Sequence, residues 1–594
     1  MNKFKRFLTL IMAIVILAGC NADKSGLSSE DTDRETKIKN FEKRDFNLER
    51  HKFKREYVFH KELPEYLTFG LIGEIGELNP FLAKEDSSKK ILSMLYKPLF
   101  YLEYKDYEKE VKPVIIEDIK ISDDGLKYEM RLKKGIKWHD GKDMTADDMI
   151  YTYDYLVKNK DTVYRDYMYI DDEAVKIKEK DKYTVELTLN RYSDSFLDKL
   201  SEIKIMPKHI YDGREEEKIR AEDSDMLIGN SAYAFSKYDI DEKYNTEYMD
   251  FEYKSGSIYD KPQFEMIRLR KSANEYTNRY DLLDYNFQAG YVLPNDTEVF
   301  ANELFDNIIF DDGYDIAMVY KVNRENVKDK ENRQNLSKLF SPSSVTGHFG
   351  MSNYVKAADS IFSFNTFHYS PQNEFFDGYR GIASDQLVRF QAENKKDKFK
   401  FGFKMEEGEY QEKIAIMLQE LMRTINLNFE LAPLFEDEYI EAISNPNTDL
   451  FDFCLVKYDS IKSPDEYKKF FEKNSEFNFS GYENQNLNRL WREADSEKDY
   501  IKAQIIYDEI QSILYDEIPM YPIVNVKTSF IFDDRFVIED AIPDARGFFI
   551  APEKLRMNDI EIDETRIDDY DFEKEELENN PRYDNLNIQA KDVE

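Results

Sequence analysis

Residues 125–148 read Gly-Leu-Lys-Tyr-Glu-Met-Arg-Leu-Lys-Lys-Gly-Ile-Lys-Trp-His-Asp-Gly-Lys-Asp-Met-Thr-Ala-Asp-Asp. The first eight form a strand-like run. Asp140-Gly141 is turn chemistry, and Thr145 stands where a helix over 144–159 would take its N-cap. Asp148 occupies the reciprocal position of a capping box, with Asp in place of Glu. Trp138-His139-Asp140-Gly141 invites a catalytic reading, but a turn leading into a cap assigns it to structure.

The surrounding chain is long and acidic. Its 594 residues suffice for two or more domains. A formal net charge of −36 argues against nucleic acid or anionic lipid surfaces as partners. Aromatic residues are abundant, mostly Tyr and Phe, and read as core. The two cysteines, Cys20 and Cys454, exclude a disulfide framework. Cys454 sits in an apolar strand pattern and reads as a buried, inert thiol.

Residues 1–19 read as an export signal. Lys3, Lys5 and Arg6 precede an apolar stretch over 7–17 that is short for a membrane span. It ends in Leu17-Ala18-Gly19-Cys20, which resembles a bacterial lipobox. Lipidation of Cys20 would tether the chain to the extracytoplasmic face of the cell membrane, because several acyl chains hold where one does not. Residues 20–60 are polar and read as the tether, and 556–594 as an acidic, disordered tail.

Between these ends, helix and strand signals alternate, which implies an α/β fold. Helices are expected at 410–425, 487–494 and 500–514. Ile414, Met417, Leu418, Leu421 and Ile425 share one face of the first. Strands are expected at 66–70, 183–189, 399–403, 429–434 and 451–456. The order strand 399–403, helix, strand 429–434 makes a parallel βαβ unit.

The 125–148 stretch and its approach resemble the signature of the family 5 extracellular solute-binding proteins, the dipeptide, oligopeptide and nickel receptors of ABC importers. Asp123, Asp124, Gly125, Tyr128, Leu132, Gly135, Trp138, His139, Asp140, Gly141, Thr145, Ala146 and Asp148 fall in register with it. Further segments resemble family motifs in the family's order: Leu78-Asn79-Pro80, 205–210 (Ile-Met-Pro-Lys-His-Ile), Ser480-Gly481-Tyr482 and 517–522 (Glu-Ile-Pro-Met-Tyr-Pro). The resemblance covers about 66–552. It implies a periplasmic-binding-protein type II-like fold, two lobes with a hinge plus an additional inserted domain. Lobe I would comprise 61–100, 207–318 and 520–555, the inserted domain 101–206, and lobe II 319–519.

The resemblance also implies a monomeric receptor that closes on a peptide and hands it to an ABC permease and its ATPase. Two departures stand out. Gly229-Asn-Ser-Ala-Tyr233 lacks the second Gly and the Pro of the family turn. Where peptide-binding members have a Trp and then an Asp that holds the peptide ammonium, this chain has Tyr458 and Ile461. Asp459 lies two residues before that position and Asp465 four after it. The ligand-contact candidates are therefore Tyr458, Asp459 and Asp465, with Lys84, Glu85 and Asp86 from the 83–87 loop; that loop also reads as a helix-capping turn on Asp86 or Ser87. Arg380 and Arg389 are candidates for a ligand carboxylate. The altered loop keeps a non-peptide ligand open, such as a metal chelate or an oligosaccharide, as well as a surface lipoprotein that senses peptides without transport. No G-x-S-x-G, H-E-x-x-H or phosphate-binding Gly loop occurs, and the six histidines show no metal spacing. No enzyme activity, cofactor or metal is expected.

Overall fold

The computed structural model describes residues 63–558, apart from short stretches of which 372–383 is the longest. The export signal, Cys20, the tether and residues 559–594 lie outside the described residues.

Two long antiparallel strands, Phe305–Tyr320 and Met520–Asp533, run through an 11-stranded mixed sheet and serve both of its halves. In the first half Ala289–Val292 pairs with the end of Met520–Asp533. Leu67–Ile72, Met266–Ser272, Thr246–Tyr253 and Tyr233–Asp241 follow outward. In the second half Phe453–Asp459 pairs with the end of Phe305–Tyr320, and Phe399–Lys404 and Phe429–Leu434 follow. Between the halves the register slips: Phe310 faces Thr528 and Tyr314 faces Val526, so residues 311–313 bulge opposite Lys527. A bulge bends and twists a strand, which is what two crossover segments between lobes require. Gly313 sits there because a Cβ would stand 1.9 Å from the Val526 carbonyl oxygen.

The expected βαβ unit is present. Phe399–Lys404 and Phe429–Leu434 are parallel and joined through the helix Tyr410–Thr424. That helix buries Ile414, Leu418 and also Met422, whereas Met417 and Leu421 stay half-buried. Aromatics fill the cores. Phe401 packs against Phe429 and Phe453 in one half, and Phe530 against Tyr291, Phe548 and Phe549 in the other. Cys454 is fully buried, and burial pushes its thiol up to about 11.

Between Leu67–Ile72 and Tyr233–Asp241 the chain builds a separate four-stranded antiparallel sheet, in the order Ile116–Ile121, Lys127–Leu132, Thr184–Thr188, Lys176–Asp181. The 125–148 stretch supplies its strand Lys127–Leu132, the turns that follow and the start of the helix Ala146–Lys158. Asp148, in the first turn of the helix Ala146–Lys158, accepts from Thr145 N–H at 2.9 Å and from Lys208 N–H at 3.0 Å. Thr152 accepts from Met206 N–H at 2.9 Å. His139 is buried. Its Nδ1 accepts from Gly229 N–H at 3.0 Å, which leaves Nε2–H to donate to the Ser231 carbonyl at 3.1 Å. Burial lowers the imidazole to about 4. The motifs at 125–148, 205–210 and 229–233 thus close one hydrogen-bonded knot. The altered 229–233 turn is held by this ring and by Asn230, which accepts from Lys97 N–H at 2.9 Å.

The end of the described chain corrects one expectation. Residues 556–557, assigned to the tail, form the strand Arg556–Met557 paired with Phe536–Val537, and Met557 is buried. Just before it, Lys97 and Glu553 form a buried ion pair at 2.9 Å that ties this segment to the core.

Candidate functional site

The elements that flank the crossover strands supply two facing walls of charge. One wall begins at the helix Asp86–Leu95, whose exposed start carries Lys84, Glu85 and Asp86. Its N-cap is Glu85, with no side-chain cap bond, rather than Asp86 or Ser87. The serines are engaged elsewhere: Ser87 donates to the Glu74 carbonyl and Ser88 accepts from Gly76 N–H at 2.9 Å. The wall continues through Glu202 and Lys204 to the turn at 544–547, where Arg546 pairs with Glu202 at 2.5 Å.

The opposite wall comprises the bulge, the strand Phe453–Asp459 and the 3₁₀ helix Pro464–Phe470. Asp312 in the bulge pairs with Lys462 at 2.6 Å and accepts from Asn365 at 2.6 Å. Strand alternation sends Lys457 and Asp459 to one face, both exposed, and Tyr458 to the other. The Tyr458 ring meets Phe470 at 5.0 Å and Tyr467 at 6.4 Å, so it packs into its own wall. Ile461, at the position of the family's ammonium-binding Asp, is buried.

Contacts among the described residues join the walls. Lys89 reaches both Asp459 and Asp86 at 3.6 Å. Tyr167 approaches Glu466 at 3.5 Å. Lys199 holds Asp465 at 3.2 Å, which occupies that carboxylate. Of the sequence candidates, Asp86 and Asp459 are therefore brought together across the gap, Lys84 and Glu85 stand at its edge, and Tyr458 and Asp465 are turned to other partners. Arg389 is exposed beside Asp385, and Arg380 lies outside the described residues.

Sequence reasoning missed most of this charge. Lys89, Lys90, Lys204, Lys457, Lys462 and Arg546 face Asp86, Glu202, Asp312, Asp459, Glu466 and Asp544, a balanced set in a chain of net −36. Burial pulls Asp86 up, but Lys90, Lys89 and Lys457 outweigh it and hold the carboxyl below its usual range. Burial raises Glu466 and lowers Lys90 and Lys204. The one local signal was the spacing of Lys89 three residues after Asp86. The rest converge from segments hundreds of residues apart.

A further contact flanks the gap. Asp495, buried in the helix Gln485–Ser496, accepts from Arg191 at 2.8 Å, Ser193 Oγ at 3.0 Å, Ser195 N–H at 3.0 Å and Ser195 Oγ at 2.7 Å. This node ties the region of the four-stranded sheet to the second half of the main sheet.

Residues 110–470 match the model of the bacterial extracellular solute-binding proteins, family 5. The chain belongs to this family. The oligopeptide-binding protein AppA of Bacillus subtilis is 25% identical over 481 residues, 76% of this chain and 84% of AppA. Its structure in complex with a nonapeptide superposes with a TM-score of 0.67 at 20% identity, covering 83% of this chain and 98% of AppA. The ABC transporter substrate-binding protein CtaP of Listeria monocytogenes gives a TM-score of 0.72 at 25% identity, over 83% and 99% of the two chains. NikZ of Campylobacter jejuni, solved with Ni(L-His), gives 0.64 at 19% identity, over 80% and 95%. The fold is that of a type II-like periplasmic binding protein, and the family's role is extracytoplasmic solute binding rather than catalysis.

Proposed function

We propose that this protein is the lipid-anchored receptor of an ABC importer, that it binds oligopeptides in the charged gap beside the crossover strands, and that it delivers them as a monomer to a permease and its ATPase. The observation that carries the reading is the balance of charge on the two walls. A peptide is a zwitterion, and closure around it buries both of its ends, so each must meet an opposite charge. Asp459 and Asp86 are the proposed ammonium partners, with Lys84 and Glu85 at the rim. Lys89, which bridges the two aspartates in this structure, would yield its place to the ligand. The kinship with AppA supports peptides as the ligand class.

Native mass spectrometry of the purified protein tests this directly. A co-purified peptide, or a thermal shift with a random peptide library, is the expected result, and neither one appearing would remove peptides. Asp459→Ala should weaken peptide binding by about 2 kcal/mol, the scale of truncating one partner of a buried charge pair. Unchanged affinity would take Asp459 out of the site. Cys20→Ala should release the protein from the membrane fraction.

Ile461 favours a second reading. With an apolar residue at the ammonium position, a ligand without an α-ammonium, such as a metal chelate, fits the same gap. The likeness to NikZ is consistent with that alternative. The mass of the co-purified molecule separates the two.

A further inference from the structure

The strands Phe100–Lys105 and Glu108–Pro113 pair, among the described residues, only with each other. Neither larger sheet includes them, yet they are firmly placed. At their base Val114 and Ile115 N–H donate to the Leu99 carbonyl at 3.0 and 3.1 Å, and Lys133 N–H donates to the Ile115 carbonyl at 2.9 Å. Along them Lys109, whose side chain is buried, meets Asp194 and Asp198 at 2.7 Å each, and Tyr104 donates to Asp198. The hairpin is thus fixed to the region of the four-stranded sheet, which the His139 knot joins to the first half.

Its other side meets the second half. Phe367, whose N–H donates to the Lys462 carbonyl at 2.8 Å, sets its ring 5.5 Å from that of Tyr104, with Lys109 Nζ 4.8 Å from its centre. Tyr107 rests on Tyr500, the first residue of the helix Tyr500–Glu517, with ring centres 4.7 Å apart. Phe367 meets the same Tyr500 at 5.3 Å, and His368 stacks on it at 4.2 Å. Both sides of this contact sit on left-handed backbone: φ is +69° at Tyr107 and +66° at His368. That conformation is costly for a residue with a side chain, and such strain gathers where a structure clamps or switches. Tyr107 is 69% exposed, so its own burial gives no reason for a tyrosine there, and the contact with Tyr500 does.

We infer that this hairpin is a latch: Tyr107 and Phe367 clasp the region of the four-stranded sheet to the second half and hold the lobes closed whether or not ligand is bound. The lobes of this fold part by hinge motion. Parting them lifts Tyr107 off Tyr500, and Phe367 off Tyr104 and Lys109. The latch therefore sets how often the empty protein opens. It stands on the hinge of the fold and on residues outside the charged gap, so it does not depend on what the gap binds.

Amide hydrogen exchange of the ligand-free full chain tests it. Asp194 N–H donates to the Asp495 carbonyl at 2.9 Å, and Ser195 N–H donates to the Asp495 carboxylate at 3.0 Å, across the same interface. These two amides exchange when the interface opens, so their rates follow the open population. Tyr107→Gly keeps the left-handed backbone without strain and removes the clasping ring. Both rates should rise about 5-fold, the scale of one aromatic pair. Adding Phe367→Leu should bring the rise to about 30-fold, because a second aromatic pair and the ring beneath Lys109 are lost with it. Tyr107→Phe keeps the ring and should exchange as the wild type does. Amides of Lys127–Leu132, paired within the four-stranded sheet, should not change in any variant. Unchanged rates at Asp194 and Ser195 in the double variant, or unprotected amides there in the wild type, would overturn the latch. So would an equal rise along Lys127–Leu132, which would make the hairpin part of that sheet's stability, or a rise in Tyr107→Phe as large as in Tyr107→Gly.

Discussion

Asp315 offers a sharp test of the electrostatics at the crossover. It lies on Phe305–Tyr320 just beyond the bulge, is fully buried, and accepts from Asn525 Nδ2 at 2.5 Å and from Ser363 Oγ. Burial pushes its carboxyl from an ordinary 3.8 up to about 7, against the pull of Ser363 and Asn525. Below 3.8 the group is neutral folded or unfolded. Between 3.8 and about 7 the unfolded chain ionises it while the folded protein keeps the proton, so its contribution to stability falls as pH rises. Above 7 both states are charged and the loss is complete. A gap of about three pKa units at about 1.4 kcal/mol each sets the loss at up to about 4 kcal/mol. Asp315→Asn keeps the shape and removes the titration, and the Ser363 hydroxyl and the Asn525 amide can each reverse their roles to suit it. Thermal unfolding of ligand-free wild type and variant should be compared from pH 4.5 to 8.5. Taking the difference cancels every other titrating group. The variant should gain on the wild type as pH rises and level off above about 7. The gain should approach roughly 4 °C, given about 2 cal/mol/K of unfolding entropy per residue over roughly 500 folded residues. A difference that does not change with pH would refute the argument, since it would mean that Asp315 is ionised, or neutral, throughout.

Three further outcomes are expected. Asp495→Asn strips the Arg191 ion pair and leaves buried donors short of acceptors, so chemical denaturation should show a loss of about 3 kcal/mol; a loss under about 1 kcal/mol would mean that Asp495 does not bind these elements together. Gly313→Ala forces a Cβ against the Val526 carbonyl and should cost about 2 kcal/mol or more, whereas Gly141→Ala, with open space but a φ of +91°, should cost about 1 kcal/mol; the reverse order in melting temperature would discount the bulge. His139, held neutral with its imidazole lowered to about 4, contributes stability that is lost as pH falls from about 6.5 toward 4; His139→Gln should flatten part of that acid limb in a melting-temperature profile, and an unchanged limb would assign the acid sensitivity to other groups.

The fold was legible where function was not, and particular residues show why. Asp148 announces itself in sequence because capping is a local event, governed by residues three apart. The βαβ unit around Tyr410–Thr424 is equally local, and it was read to within a residue or two. Even the Trp138-His139 motif, whose partners lie 90 residues away, is marked by its own turn chemistry. The charged gap has no such grammar. Lys89 and Asp459, 370 residues apart in sequence, meet only because two strands cross between the halves of one sheet, and no window of sequence contains that event. The same physics explains why Tyr458 packs against Phe470 and Tyr467. Its family position pointed at the ligand, yet the neighbours along its strand, Lys457 and Asp459, are the residues that stay exposed. An alternating strand cannot present consecutive side chains to one face, so once Asp459 is the residue that meets Lys89, Tyr458 must pack behind it. Ile461 shares the parity of Lys457 and Asp459, yet it is buried past the strand's end, where Ser460 N–H bonds the Gly313 carbonyl. An Asp at 461 would therefore need the chain to leave the bulge before it could reach a ligand. Asp459, the proposed ammonium partner, is accordingly the last residue of that strand and an exposed one.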